Sequence, residues 1–136
     1  MARPFDVEVV AVDRKVYSGQ AVSAMIPGAD GYFGVLSGHA PLVASLKVGE
    51  LTIVPPGGEP VHIAVAGGFA EVTQDRVTIL AETAELAQEI DINRAREALE
   101  RARGRLTGAE PGTDVDRAKA ALLRALNRLR VAGYRT

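Results

Sequence analysis

The spacing of apolar residues changes period once along the chain, near Glu82, and this restricts the fold to two segments of different architecture. From Phe5 to Glu82 the apolar residues recur mainly at every second position. Val7, Val9 and Ala11 alternate with Asp6, Glu8 and Val10, Val61, Ile63 and Val65 alternate with His62 and Ala64, and Val77 and Ile79 flank Thr78. That is the period at which a strand sends alternate side chains to one face. The runs are short and are separated by turn chemistry at Asp13-Arg14-Lys15, Ser18-Gly19, Pro27-Gly28, Asp30-Gly31, Ser37-Gly38, Pro55-Pro56-Gly57-Gly58, Gly67-Gly68 and Gln74-Asp75. Roughly eight to ten strands in a sandwich or barrel are predicted.

After Glu82 the period becomes helical. Ile92, Ala95, Ala98, Leu99, Ala102 and Leu106 follow the spacing of one helix face, with Asp91 in the N-cap position. The stretch from Thr107 to Thr113 interrupts this pattern with Gly108, Pro111 and Gly112. Asp114 then caps a second helix in which Ala118, Leu122, Ala125, Leu129 and Ala132 keep a regular stripe until Gly133. A connection of this length is usual between antiparallel neighbours, so an αα-hairpin is expected. Its inner stripes are mostly alanine, which buries little apolar area, at about 25 cal/mol per Å². Two such helices need tertiary contacts to persist. The chain therefore reads as an α+β protein with segregated parts, a β domain at 1–85 and a mobile helical hairpin at 86–136.

A length of 136 residues fits one domain plus an appendage. The net charge of −1 hides an asymmetry, because residues 1–85 stand at −5 and residues 86–136 at +4. Neither value creates a general attraction to nucleic acid or anionic lipid, and the basic segment has Tyr134 as its one aromatic, so base stacking is not expected. Cysteine is absent, which excludes disulfides, thiolate metal sites and cysteine nucleophiles. No apolar run approaches the ~20 residues of a bilayer span, so membrane contact is expected only through partners.

Several stretches invite a chemical reading. Gly28, Gly31, Gly34 and Gly38 suggest a phosphate loop, but Gly38 leads into His39-Ala40-Pro41 with no lysine, which favours turn and bulge roles. His39 and His62 are too few for a zinc site. Ser37-Gly38-His39 lacks the Gly-x-Ser-x-Gly elbow of a hydrolase, so no enzyme is predicted. The hairpin arginines say more. Arg94 and Arg101 share a face of the first helix with Glu97 between them, and Arg124 and Arg128 are four apart on the second with no carboxylate at i±3 or i±4. A solvated basic face explains this spacing, and so does a bound anion gripped by guanidinium forks.

Two segments carry a resemblance. GYFGVLSGHAPLVASLKVGEL and VAGGFAEVTQDRVTILAETAE, followed by an Ala/Arg-rich hairpin beginning IDINRA, resemble the epsilon subunit family of bacterial rotary F-type ATP synthases over essentially the whole chain. The resemblance implies a flattened, ten-stranded antiparallel β-sandwich ahead of a two-helix hairpin. It also implies a non-catalytic rotor subunit of the central stalk, coupling the gamma subunit to the c-ring during proton-driven ATP synthesis at the cytoplasmic face of the cell membrane. The c-ring contact it implies involves Tyr32, Phe33, Ser37 and His39.

The family's hairpin has a folded state and an extended state that impedes hydrolysis in the alpha/beta hexamer. In the extended state Arg117, Lys119, Arg124, Arg128 and Arg130 would face an acidic segment of the beta subunit. Some members bind ATP in the folded hairpin through an Ile/Leu-Asp-x-x-Arg-Ala motif, present here as Ile90, Asp91, Arg94 and Ala95. Arg101, Arg124 and Arg128 fall at the positions of further arginines, and Glu85 matches a contact in the linker. The expected ligand is regulatory ATP, with no required cofactor and no metal. The alternative is a purely structural coupler that neither inhibits nor binds nucleotide.

Overall fold

The alternating residues of the first segment form eight strands: β1 (Phe5–Ala11), β2 (Arg14–Ala21), β3 (Ser23–Gly28), β4 (Gly31–Val35), β5 (Leu42–Ser45), β6 (Gly49–Val54), β7 (Val61–Val72) and β8 (Arg76–Leu86). The computed structural model describes residues 3–108 and 110–133. The chain divides into two compact units, Met1–Leu86 and Ala87–Thr136.

Hydrogen bonding links the strands in the order β2-β1-β8-β7-β6-β3-β4, with β5 also on β7. All pairs are antiparallel except β1 and β8, which run parallel with Val7 beside Val77 and Val9 beside Ile79. The long strands β7 and β8 serve both layers. Residues 61–65 of β7 pair with β6, whereas residues 69–72 pair with β5. Residues 76–80 of β8 pair with β1. One layer therefore holds β2, β1, the first half of β8, the second half of β7, and β5. The other holds the second half of β8, the first half of β7, β6, β3 and β4. Eight strands thus supply ten strand segments, which reconciles the low strand count with a ten-stranded sandwich.

The change of layer is written in the burial phase. In β7 the core residues Ile63 and Val65 give way to Ala70 and Val72, and in β8 Val77, Ile79 and Ala81 give way to Ala84. Both phase changes flank Gly67 and Gly68, whose φ values are +71° and +106°. A Cβ on Gly68 would overlap the Leu80 carbonyl oxygen across the strand pair, so glycine is required by both backbone and neighbour. The core between the layers is aliphatic, with Ile26, Leu51, Ile53, Ile63 and Ile79 almost fully buried.

Two turn predictions are corrected here. Strand β2 runs through Ser18-Gly19 and β7 through Gly67-Gly68. Gly19 marks a close approach, since a Cβ there would lie 3.1 Å from the Tyr17 hydroxyl. In both places glycine makes room inside a strand, and composition alone does not separate that use from a turn.

In the second unit a single 3-10 turn, Ala87–Glu89, precedes α1 (Ile92–Thr107) and α2 (Val115–Ala132). Asp91 and Asp114 are the N-caps, accepting the backbone N–H groups of Arg94 at 3.1 Å and Arg117 at 3.0 Å. Helix α1 continues one turn beyond Gly104, and Gly108 caps it with its N–H on the Gly104 carbonyl. Gly133 ends α2. Buried apolar residues of the two helices are Ala95, Leu99, Ala102, Ala118, Ala125, Val131 and Ala132. Alanine dominates, as the spacing predicted. Ala109 of the interhelical stretch and Tyr134 lie outside the described residues.

Candidate functional site

The β3–β4 corner is built around Tyr32. Strand alternation turns Tyr32 outward, 46% exposed, and packs Phe33 against the core. The Tyr32 hydroxyl accepts the Glu50 N–H at 2.9 Å, and Lys47 Nζ sits 4.9 Å from the ring centroid. Gly49 makes this possible, because a Cβ there would lie 2.6 Å from both the Tyr32 hydroxyl and Pro27 Cβ. Beside Tyr32 an open recess of about 720 Å³ is lined by Gly31, Phe33, Leu42, Val43 and Ser45, among others. Val43 is 69% exposed at its edge. This corner holds the exposed Tyr32 and Val43 in a fixed shape around a recess of mixed polarity.

Ser37 and His39 lie beyond the other end of β4, in a turn fastened by Gly38 N–H to the Gln74 carbonyl at 2.9 Å and His39 N–H to the Leu36 carbonyl at 3.2 Å. Ser37 is five positions along the chain from Tyr32, past the end of β4 at Val35, a span of at most about 17 Å. The structure therefore brings Tyr32, Phe33 and the recess together, and sets Ser37 and His39 apart from them.

A second area of exposed apolar side chains went unnoticed in the sequence. On the outer face of the first layer Phe69 pairs with Leu80 and Leu80 with Val10. Phe69 and Leu80 are each about half exposed, and Val12 nearby is almost wholly so. Its signal was present as apolar residues out of phase with the core positions Ala70 and Ile79. On the face of the other layer, His62 Nδ1–H donates to Glu50 Oε2 at 2.5 Å.

The hairpin carries the basic side chains. Ile90 is fully buried, and Asp91 has one carboxylate oxygen committed to its capping bond. Arg94, Arg101 and Arg124 are exposed and Arg128 is half-buried. Glu85 belongs to β8, in the sandwich unit. Arg117, Lys119 and Arg130 on α2 are exposed. Between Lys119 and Arg130 on the same side of α2, Leu123 and Leu126 are exposed as well. Among the described residues no group of three or more His, Cys, Asp or Glu side chains is placed to hold a metal ion, and no helix is long and apolar enough to cross a membrane.

Comparison with known proteins gives two family matches. Residues 4–87 match the ATP synthase delta/epsilon chain, beta-sandwich domain, and residues 88–133 match the ATP synthase delta/epsilon chain, long alpha-helix domain. The ATP synthase epsilon chain of Moorella thermoacetica is 46% identical over 128 residues, 94% of this chain and 96% of that one. That of Geobacter metallireducens is 46% identical over 137 residues, 100% of this chain and 99% of its own. A chain in the mitochondrial ATP synthase of Euglena gracilis, a structure of OSCP, F1 and c-ring, superposes with a TM-score of 0.81 at 26% identity, over 96% of this chain and 82% of that one.

Proposed function

The chain belongs to the ATP synthase delta/epsilon family, matched across both of its domains, and from that premise we propose how each unit serves the rotary complex. An epsilon chain is a non-catalytic part of the central stalk, so its work is contact and regulation. The sandwich offers two separate areas with exposed apolar side chains, as an adaptor between two rotor parts requires. The Tyr32 corner with its recess meets the c-ring, and the Phe69–Leu80–Val12 face meets gamma. A c-ring contact that also includes Ser37 and His39 has to run the length of β4. The chain is held peripherally at the cytoplasmic face of the bacterial membrane through these partners and couples proton flow to gamma rotation.

The hairpin is the regulatory part. One observation carries this reading: α2 leaves Leu123 and Leu126 exposed between Lys119 and Arg130, while the buried positions of both helices are mostly alanine. Weak burial in one packing and uncovered apolar area for another are what a two-state element needs. In the extended state Arg117, Lys119, Arg124, Arg128 and Arg130 meet an acidic segment of the beta subunit and slow hydrolysis. Such charges steer and discriminate more than they add affinity.

ATP favours the folded state. Ile90, Asp91 and Ala95 form the start of the site at the head of α1 and place the adenosine end, and Arg94, Arg101, Arg124 and Arg128 hold the phosphates. A ligand that binds one state alone shifts the balance by RT ln(1 + [ATP]/Kd), about 2.7 kcal/mol at a hundredfold excess. High ATP then relieves inhibition. Calorimetric titration of the full chain tests the site. Saturable heat that is lost in Arg124→Ala with Arg128→Ala supports it, and equal heats in wild type and variant overturn it.

A further inference from the structure

The arginines continue past the nucleotide set. Arg94, Arg101 and Arg105 on α1 are spaced seven and then four apart, and Arg117, Arg124 and Arg128 on α2 repeat that spacing. At about 100° per residue each trio forms one file along its helix. Each file lies about a quarter turn to the same side of its helix's alanine-rich stripe, Ala95–Leu99–Ala102 on α1 and Ala118–Ala125–Ala132 on α2, and near the end of α2 the buried Asn127 and Val131 flank the file on its other side. In an antiparallel pair this places both files on one face of the hairpin. Arg105 and Arg117, from different helices, indeed line one polar recess of about 380 Å³ with Thr113, Asp114 and Ala118 at the hairpin tip. With those two level, the pairing sets Arg94 level with Arg128, about 16 Å away.

Arg94, Arg101, Arg105, Arg117 and Arg124 make no ion pair among the described residues, whereas Arg103 on the opposite side of α1 pairs with Glu100 at 3.1 Å. At the tip, one carboxylate oxygen of Asp114 accepts the Arg117 N–H as the helix cap. Thr113 Oγ1 accepts the Glu110 N–H at 3.2 Å, leaving its own O–H to donate.

We propose that the two files form a single anion track that binds a linear condensed phosphate longer than the triphosphate of a nucleotide, with Arg105, Arg117 and Thr113 holding its far end. The track deepens the nucleotide reading, sharing Arg94, Arg101, Arg124 and Arg128 with it. A triphosphate engages one end; a longer chain of phosphates engages both, each additional guanidinium adding charge-assisted hydrogen bonds to phosphate oxygens.

The full chain is titrated by calorimetry at fixed ionic strength with ATP, tripolyphosphate and a longer linear polyphosphate. The longer polymer is expected to bind about tenfold tighter than tripolyphosphate. Arg105→Gln with Arg117→Gln removes that gain, and Arg96→Gln with Arg103→Gln, on the opposite side of α1, leaves it intact. Equal affinity for both lengths, or a gain that survives Arg105→Gln with Arg117→Gln, overturns the track. Equal loss in both double variants, or single-stranded DNA matching the polymer in all of them, reduces it to diffuse attraction and overturns it too. Absence of ATP heat with length dependence intact removes the nucleotide reading and keeps the track; ATP heat without length dependence does the reverse.

Discussion

The hydroxyl of Tyr32 accepts the backbone N–H of Glu50 at 2.9 Å, which ties the exposed β3–β4 corner to the start of β6. A surface aromatic is thereby held in one orientation without a covering partner. Its donor is a backbone group, so the contact survives any change of the Glu50 side chain and depends instead on the space that Gly49 leaves.

Gly49→Ala therefore disturbs Tyr32 and Pro27 together. The added methyl would lie 2.6 Å from each, and relief requires the corner to move. A loss of about 1–3 kcal/mol in urea unfolding is expected, with a changed Tyr32 ring environment by NMR. An unchanged midpoint and unchanged ring signals would show that the corner is not fixed in this way.

The crossing between layers makes a sharper demand at Gly68. Gly68→Ala places a methyl against the Leu80 carbonyl at a φ of +106°, so a loss above about 3 kcal/mol is expected. Gly57→Ala meets nothing within 4 Å at φ +65° and should cost only about 1–2 kcal/mol. Thermal unfolding of the two variants side by side measures the difference, and similar losses would contradict the steric argument.

Each helix of the hairpin depends on one carboxylate cap. Asp91→Ala and Asp114→Ala should each cost about 1 kcal/mol of helix stability, read as reduced helical circular dichroism on warming before the sandwich melts. Full retention of helix in both variants would show that packing alone holds the helices.

Tyr32 is the expected anchor on the c-ring. Tyr32→Ser removes exposed aromatic area and the hydroxyl's reach to Glu50, and should weaken recovery of this chain with c-ring during assembly. His39→Ala, at the far end of β4, should weaken it less. Equal loss would extend the contact along the whole strand.

The helical segment was the most legible part of the sequence, since caps at Asp91 and Asp114 and the stripes Ala95–Leu99–Ala102 and Ala118–Ala125–Ala132 follow from local spacing. The strands were legible as alternation, but not their layering. Val65 and Ala70 both face the core although they are five apart, and only the backbone at Gly67-Gly68 explains the shift of phase. The parallel pairing of β1 with β8 is a matter of topology that no local pattern encodes. Tyr32 and Phe33 were read as one contact, and strand alternation divides their roles: Tyr32 projects outward, whereas Phe33 packs against the core and lines the recess beside it. The buried Asn127 and Val131 on α2 fall outside the alanine stripe and gave no signal in its spacing.

The regulatory account is tested most directly by ATP hydrolysis in the assembled complex, carrying either the full chain or one truncated after Glu89. At low ATP the truncated form should hydrolyse several-fold faster, and the difference should shrink as ATP rises while proton-driven synthesis stays similar in both. Equal hydrolysis by the two forms at every ATP concentration, with synthesis intact, would contradict it and leave a structural coupler.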